Sequence, residues 1–369
     1  MNAIQSRTIG LVLQGGGALG AYELGVIEYL WEKVLEGKIK IEIVSGVSIG
    51  AVNATLLCGA RTVSNPLETL IAVWEELTTF DIPFLPREID KLLLSAFGNP
   101  AMYRPRTDFY KILEWTGFSD TSPLRETLKK HVAFDDLRPE NESRPRLILA
   151  ATNIETGEID AFDSRKMQIE PDHVLASGAL PPGFSPASAR DQHGHTCTYV
   201  DGGLFNNTPL SPVIEALEEK KNGKHQKVDL MVVVNLFPRK GQVPKHMLEV
   251  MDRYYEILFV NKTSSDIQRA EQTRKLIELR NELENLVKRL DLPQESRSKL
   301  EALKAHPGYA VLNKWAPVFD HLIEIENTEA EPMDAATDFT KETIERRRRA
   351  GYRDAKTQCK EYLEEFEYT

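Results

Sequence analysis

The sequence has 369 residues, 28% of them charged, and a formal net charge of −10. It is long enough for one large α/β domain or two domains, and its acidity argues against nucleic acid as a main partner. Cys58, Cys197 and Cys359 are widely spaced with no C-x-x-C pair, which points to packed thiols rather than a disulfide framework or zinc site, and no cofactor motif survives the reading below. No charged-then-apolar leader precedes the first strand and no apolar run approaches the roughly 20 residues of a membrane span, so the expectation is a cytoplasmic protein, with peripheral contact to a membrane left open.

Thr8 to Asn53 reads as strand, glycine loop, helix, strand, serine turn, helix. In the loop Gly15-Gly16-Gly17, three residues without Cβ let consecutive N–H groups turn outward at the start of a helix, a ready anion site. Gly46-Val47-Ser48-Ile49-Gly50 fits G-x-S-x-G, the nucleophile elbow in which a tight strand-to-helix turn exposes a serine hydroxyl. A serine beside an anion site points to acyl transfer. Gly15, Gly17 and Gly20 also satisfy G-x-G-x-x-G, but a dinucleotide site wants an acidic residue at the tip of the second strand, and that strand ends in Ser45-Gly46 with Glu42 inside it. A P-loop wants Gly-Lys-Ser/Thr, whereas Gly20 is followed by Ala21-Tyr22.

Ala21 to Leu35 is an amphipathic helix closed by Gly37, and Ala51 to Ala60 is a helix whose Ala51 and Ala54 allow close packing. Residues 65 to 140 read as interrupted helix, broken by Pro66, Pro83, Pro86, Pro100, Pro105 and Pro123, with Trp74, Phe80, Phe84, Phe97 and Tyr103 between them. Such a stretch is either a cap forming an acyl pocket or ordinary packing. Core strands resume at Arg146 to Thr152 and, after a turn at Glu155 to Glu158, at Ile159 to Asp163. Ser177 to Ala187 is a proline-rich loop. Cys197 to Val200 is then a short strand delivering Asp201-Gly202-Gly203 at its tip, either a turn residue or a site carboxylate. His193 and His195 fall in a polar hairpin tip, and His225, His246, His306 and His321 sit in charged or helical contexts or near the start of a strand, so a Ser-His-Asp triad finds no third member.

After Pro238 the composition shifts. Lys245 to Leu290 reads as long helix, with Ile267, Ala270, Ile277, Leu283, Leu286, Val287 and Leu290 tracing an apolar stripe amid mixed charge. The stripe suits packing on the catalytic domain or on a second copy better than lipid, because acidic and basic residues interleave. Phe319 to Ile325 is a candidate for one more strand returning to the sheet. Arg346 to Arg349 is a basic run on a C-terminal helix, more often a solvated face than a phosphate site, with lipid head groups as the other reading. The expected division is a catalytic domain over 1–240 and a mainly helical extension over 241–369.

Read together, G-G-G-A-L-G at 15 to 20, G-V-S-I-G at 46 to 50 and D-G-G at 201 to 203 resemble the patatin-like phospholipase family. Ala151-Thr152-Asn153, the turn at 156 to 158, the loop from Ala176 to Pro186 and Asn207 to Pro209 extend the resemblance, which covers roughly residues 7 to 240. The family implies a three-layer α/β/α sandwich with a mostly parallel central sheet and a Ser-Asp dyad acting on acyl esters of lipids. Carried over, Ser48 is the nucleophile in the elbow of Gly46 and Gly50, Asp201 the general base, and the N–H groups of Gly15, Gly16 and Gly17, with Ile49 at the following helix start, the oxyanion hole. The family often has Arg or Lys where this chain has Leu19, which removes a cation near the site. The tail is similar to an extension on some bacterial members. Alternatives within the chemistry are acyl transfer and hydrolysis of short-chain hydroxyacid esters; from another class, a silent storage or interaction protein. An aspartate of pKa about 4 is a poor base for a serine, so the oxyanion hole must supply much of the stabilisation, and activity is expected to persist below about pH 6. A Cβ at Gly16 is expected to crowd an unusual backbone conformation and lower turnover.

Overall fold

In the computed structural model, the described residues are 6–78, 98–221, 224–237, 243–244, 247–307, 309, 318–329, 331 and 335–363. Pro83, Pro86, Phe80, Phe84, Phe97 and His246 lie outside them. Eight strands form one sheet: β1 (Arg7–Leu13), β2 (Ile39–Gly46), β3 (Arg146–Asn153), β4 (Ile159–Asp163), β5 (Ala187–Arg190), β6 (Thr196–Asp201), β7 (Val228–Asn235) and β8 (Phe319–Glu326). The order is β8-β7-β1-β2-β3-β6-β5, with β4 on β3. β8, β7, β1, β2 and β3 are parallel, and β4, β5 and β6 are antiparallel to their neighbours.

The sheet is covered on both faces, as its near-continuous apolar strands require. On one face Ile9, Leu11, Leu13, Val44, Leu149 and Val232 pack against helices α1 (Gly20–Leu35), α2 (Ile49–Gly59) and α3 (Pro66–Leu77) and against later helices on that side. These include α5 (Pro171–Ser177), which follows α4 (Ser122–His131), and α9 (Lys341–Gln358). On the other face Val12, Ile43, Met231 and Val233 meet α6 (Leu210–Glu218) and Ile267 and Ala270 of α7 (Met247–Arg289). The three-layer α/β/α architecture and mostly parallel sheet are therefore as the sequence leads one to expect.

The segment after residue 240 serves two purposes. Part of it completes the core: β8 joins the sheet edge beside β7, and α9 packs on α1 so closely that a methyl on Gly25 would stand 1.8 Å from the Arg348 carbonyl oxygen, and one on Gly351 1.9 Å from that of Tyr22. The rest carries the stripe. Ile267, Ala270 and Ile277 are buried, whereas Leu283, Leu286 and Leu290 are exposed, as is Leu303 on α8 (Gln294–Lys304). The basic run differs from the solvated face the sequence suggests. Arg346 pairs with Glu329 and Glu331, Arg347 is fully buried against Glu331, and Arg348 grips Glu28 of α1 through two bonds of 2.8 and 2.9 Å; only Arg349 lies outward. Buried guanidinium groups need such partners, since an unpaired one would be strongly unfavourable.

Candidate active site

Strand register brings the two separated motifs together. Strand β2 runs with β3 and stops with Gly46 opposite Leu149; β6 runs against β3 and stops with Asp201 opposite Ala151. Strand β4 occupies Ile148 to Thr152 on the opposite edge of β3, so β2 and β6 share the remaining edge. Their carboxyl ends therefore meet head to head, two positions apart, and the Ser48 turn leaving β2 is delivered to Asp201.

The turn is forced by glycines. A methyl on Gly46 would lie 2.2 Å from the Gly50 carbonyl oxygen, and one on Gly50 would lie 2.6 Å from the carbonyl oxygens of Leu13 and Gln14. Ser48 takes φ 55°, ψ −122°, the sole non-glycine with positive φ among the described residues. Such strain costs on the order of 1–3 kcal/mol and persists because neighbours over-determine it. Val47 N–H donates to the Leu13 carbonyl at 3.3 Å, and Ser48 N–H donates to Ser177, to its carbonyl at 3.1 Å and to its hydroxyl at 3.0 Å. Ser177 Oγ in turn donates to the Ala150 carbonyl at 2.6 Å.

Asp201 is buried and accepts the Gly203 N–H at 2.7 Å, and the Ser48 hydroxyl stands close enough to favour its ionised form. Loss of solvation pushes its pKa up to about 6 against the opposing pull of those two donors. Its N–H donates to the Ala179 carbonyl at 2.9 Å, and the Thr152 hydroxyl donates to its carbonyl at 3.1 Å, so the strand end is held from both sides.

The glycine loop departs from expectation at two places. Gly15 N–H donates to Asn207 Oδ1 at 3.1 Å while Asn207 Nδ2 donates to the Gly15 carbonyl at 3.0 Å, so the Gly15 N–H is committed rather than free for an anion. Gly16 has φ 172°, extended backbone open to any residue; the left-handed conformation belongs to Gly17, at φ 57°. A methyl on Gly17 would also fall 2.3 Å from the Ala336 carbonyl oxygen, which places the C-terminal segment directly on the loop. Ile49 opens α2 immediately after Ser48, where helix N–H groups are unpaired by geometry. Leu19 is buried in the core, so the family's cation position carries an apolar anchor here.

Beneath the loop lies a second buried carboxylate. Glu23 of α1 accepts Asn53 Nδ2 at 2.8 Å, and Trp74 Nε1 donates to Asn53 Oδ1 at 2.9 Å. Burial raises Glu23 to about 8, and its Oε1 has no protein partner. The histidines find partners elsewhere. His173 accepts the Glu170 N–H and pairs with the Arg190 carbonyl, His131 meets Glu76, and the backbones of His193 and His195 cap Asp191 in their exposed hairpin. Sequence reasoning gave Ser177, Asn207 and Glu23 no role at the site; the asparagine after D-G-G was the available signal for Asn207.

The chain matches the family model described as patatin-like phospholipase over residues 11–214. It is 30% identical to the neuropathy target esterase sws of Drosophila persimilis over 107 residues, and 29% identical to that of Drosophila melanogaster, each match covering 26% of this chain and 7% of the relative. The matched region is thus a small part of those much longer proteins. Among solved structures, VipD from Legionella pneumophila is 18% identical, with a TM-score of 0.39 covering 97% of this chain and 67% of that one. Human GIVD cytosolic phospholipase A2 in complex with methyl gamma-linolenyl fluorophosphonate is 14% identical, with a TM-score of 0.41 covering 98% and 59%.

Proposed function

The chain belongs to the patatin-like phospholipase family, and from that premise we propose that it is a serine lipid acyl hydrolase working through Ser48 and Asp201. The observation that carries the reading is the strained Ser48 beside a buried Asp201 at the meeting point of two strand ends. Asp201 accepts the hydroxyl proton as Ser48 Oγ attacks the ester carbonyl; with its pKa near 6 it is a stronger base than an exposed aspartate, yet ionised at neutral pH. The tetrahedral oxyanion is stabilised by the N–H groups of Gly16 and Gly17, with the N-terminus of α2 at Ile49 adding positive potential. Loss of the alcohol leaves an acyl-Ser48, and water activated by the same carboxylate releases the acid. Ser177 fixes the elbow through the Ser48 N–H, and Asn207 fixes the loop through Gly15.

A panel of acyl esters of graded chain length, run with wild type and Ser48→Ala alongside a fluorophosphonate probe, tests this. Labelling and hydrolysis that both vanish in a folded Ser48→Ala chain support the reading. Activity retained in that variant, or a wild type inert to probe and esters alike, sinks it in favour of a silent scaffold.

A further inference from the structure

Residues 98–121 leave the core and return to it, and among the described residues the outer face of this excursion's tip meets no apolar partner. Phe109–Glu114 forms a short 3-10 turn on which Phe109, Tyr110, Ile112 and Leu113 face outward, Tyr110 at 85% and Leu113 at 99% exposure, with Phe118 exposed beside them. Single exposed apolar residues are ordinary, but five within ten residues of chain form a patch. The tip is braced. Arg106 donates to both oxygens of Asp108 at 3.0 and 2.7 Å and stands 5.2 Å over the Trp115 ring, which also lies 5.5 Å from the Phe109 ring.

This tip is tied to the catalytic end. Phe118 N–H donates to the Pro182 carbonyl at 3.0 Å, Ser119 N–H to that of Gly183 at 2.9 Å, and Tyr103 packs edge-on to Phe184 at 5.5 Å. The same loop accepts the Asp201 N–H at Ala179 and passes Ser48 at Gly178. A cleft of about 1040 Å³ is lined jointly by the base of the tip, at Arg106 and Asp108, and by Leu175, Ser185 and Pro186.

We propose that residues 109–118 dock on the surface of a lipid bilayer, an inference that rests on the lipid acyl hydrolase reading and places the site at the surface that holds its substrate. Lipid fits better than a protein partner because Phe109, Tyr110, Ile112 and Leu113 protrude from one short turn and none of them lines the cleft at its base. The chemistry also suits an interface: Tyr110 has an apolar body with a polar handle, and the Lys111 ammonium sits 5.9 Å from the Tyr110 ring, placed to reach head groups while its stem enters the apolar layer. Arg104, Arg106 and Lys111 nearly balance Asp108 and Glu114, so apolar insertion rather than charge drives the contact, and a zwitterionic surface is sufficient. No helix among the described residues is long and apolar enough to cross a membrane, so this contact is peripheral.

The test uses the full chain carrying Ser48→Ala, so that nothing is hydrolysed, and phosphatidylcholine vesicles, with co-sedimentation as the readout. Tyr110→Asp and Leu113→Asp are each expected to weaken partition by about tenfold or more, with unchanged melting temperatures because both side chains are exposed. Leu283→Asp and Leu286→Asp on α7 are expected to leave partition unchanged. Binding retained in Leu113→Asp, binding lost through α7, or binding that requires anionic lipid and vanishes in salt overturns the proposal. So does vesicle-free self-association abolished by Leu113→Asp, which would make a second copy the partner. A wild type that binds through the tip yet cleaves no ester sinks the hydrolase reading and leaves the docking; one that cleaves dissolved esters but ignores vesicles sinks the docking alone.

Discussion

At the catalytic end, Gly46 and Gly50 bring β2 and α2 so close that the one side chain between them with a hydroxyl, Ser48, is turned outward under strain. In the C-terminal latch, Gly25 and Gly351 bring α1 and α9 to backbone contact, and there charged side chains are turned inward: Arg347 onto Glu331, Arg348 onto Glu28. Close approach of backbones thus turns a hydroxyl outward in one region and seals ion pairs in the other. Helix α7 has no glycine, and its distal leucines Leu283 and Leu286 stay exposed. Chemistry should therefore be lost from the first region and stability from the second, and the two should meet at Gly17 under Ala336.

The largest expected break is Ser48→Ala, with a loss of turnover on the order of 10⁶ and no loss of melting temperature, measured by ester hydrolysis and thermal unfolding. Asp201→Asn should come next: acylation collapses while the fold survives, read as failure of the burst of alcohol release. For the wild type, kcat/KM should fall as pH drops through about 6, because protonation removes the base. This revises the expectation of activity persisting well below pH 6, and the limb now lies near the ordinary imidazole pKa of about 6.5. Profile shape alone no longer separates aspartate from histidine, so His193→Gln with His195→Gln, expected to keep most of the rate, carries that distinction.

At the junction of the regions, Gly17→Ala should lower kcat by roughly 10² to 10³ as one donor is lost, with some loss of stability from displacing Ala336. Gly16→Ala should be milder, since its φ is extended and the methyl would meet the movable Leu236 side chain at 2.9 Å. An equal loss of kcat at both positions would break the assignment of the strained donor to Gly17. Gly351→Val should lower Tm by about 5 °C or more through overpacking while leaving the rate per folded site unchanged.

The smallest effect concerns Glu23, whose folded pKa near 8 lies above its unfolded value. Its contribution to stability is present below the unfolded pKa near 4.3 and is lost as pH rises through about 8. Melting temperature should decline across that window, and Glu23→Gln should flatten the decline. A variant with the same pH dependence as wild type would place the effect elsewhere.

Local chemistry made much of this legible in one dimension. Gly17 before a helix and a serine between Gly46 and Gly50 announce backbone shapes that few other residues permit, and Asp201 before two glycines announces a carboxylate at a strand end. The apolar runs likewise announced strands, the family resemblance implied a covered, mostly parallel sheet, and Phe319 to Ile325 stood as a candidate for its added strand. The basic run at 346 to 349 misled because composition alone does not say which face of a helix is covered. Its partners, Glu28, Glu329 and Glu331, are set by packing.

The sequence by itself announced the turns, because the elbow is written in five consecutive residues, Gly46 to Gly50, and the loop in three, Gly15 to Gly17. Only the tertiary structure decided what the turns face. Ser177 and Asn207 reach Ser48 and Gly15 across 129 and 192 residues, and the head-to-head meeting of β2 and β6 depends on the register of β3 between them. The proton affinity of Asp201 was equally hidden, since it follows from how many layers exclude water from the carboxylate, and that exclusion exists only once the sheet and its helices are assembled.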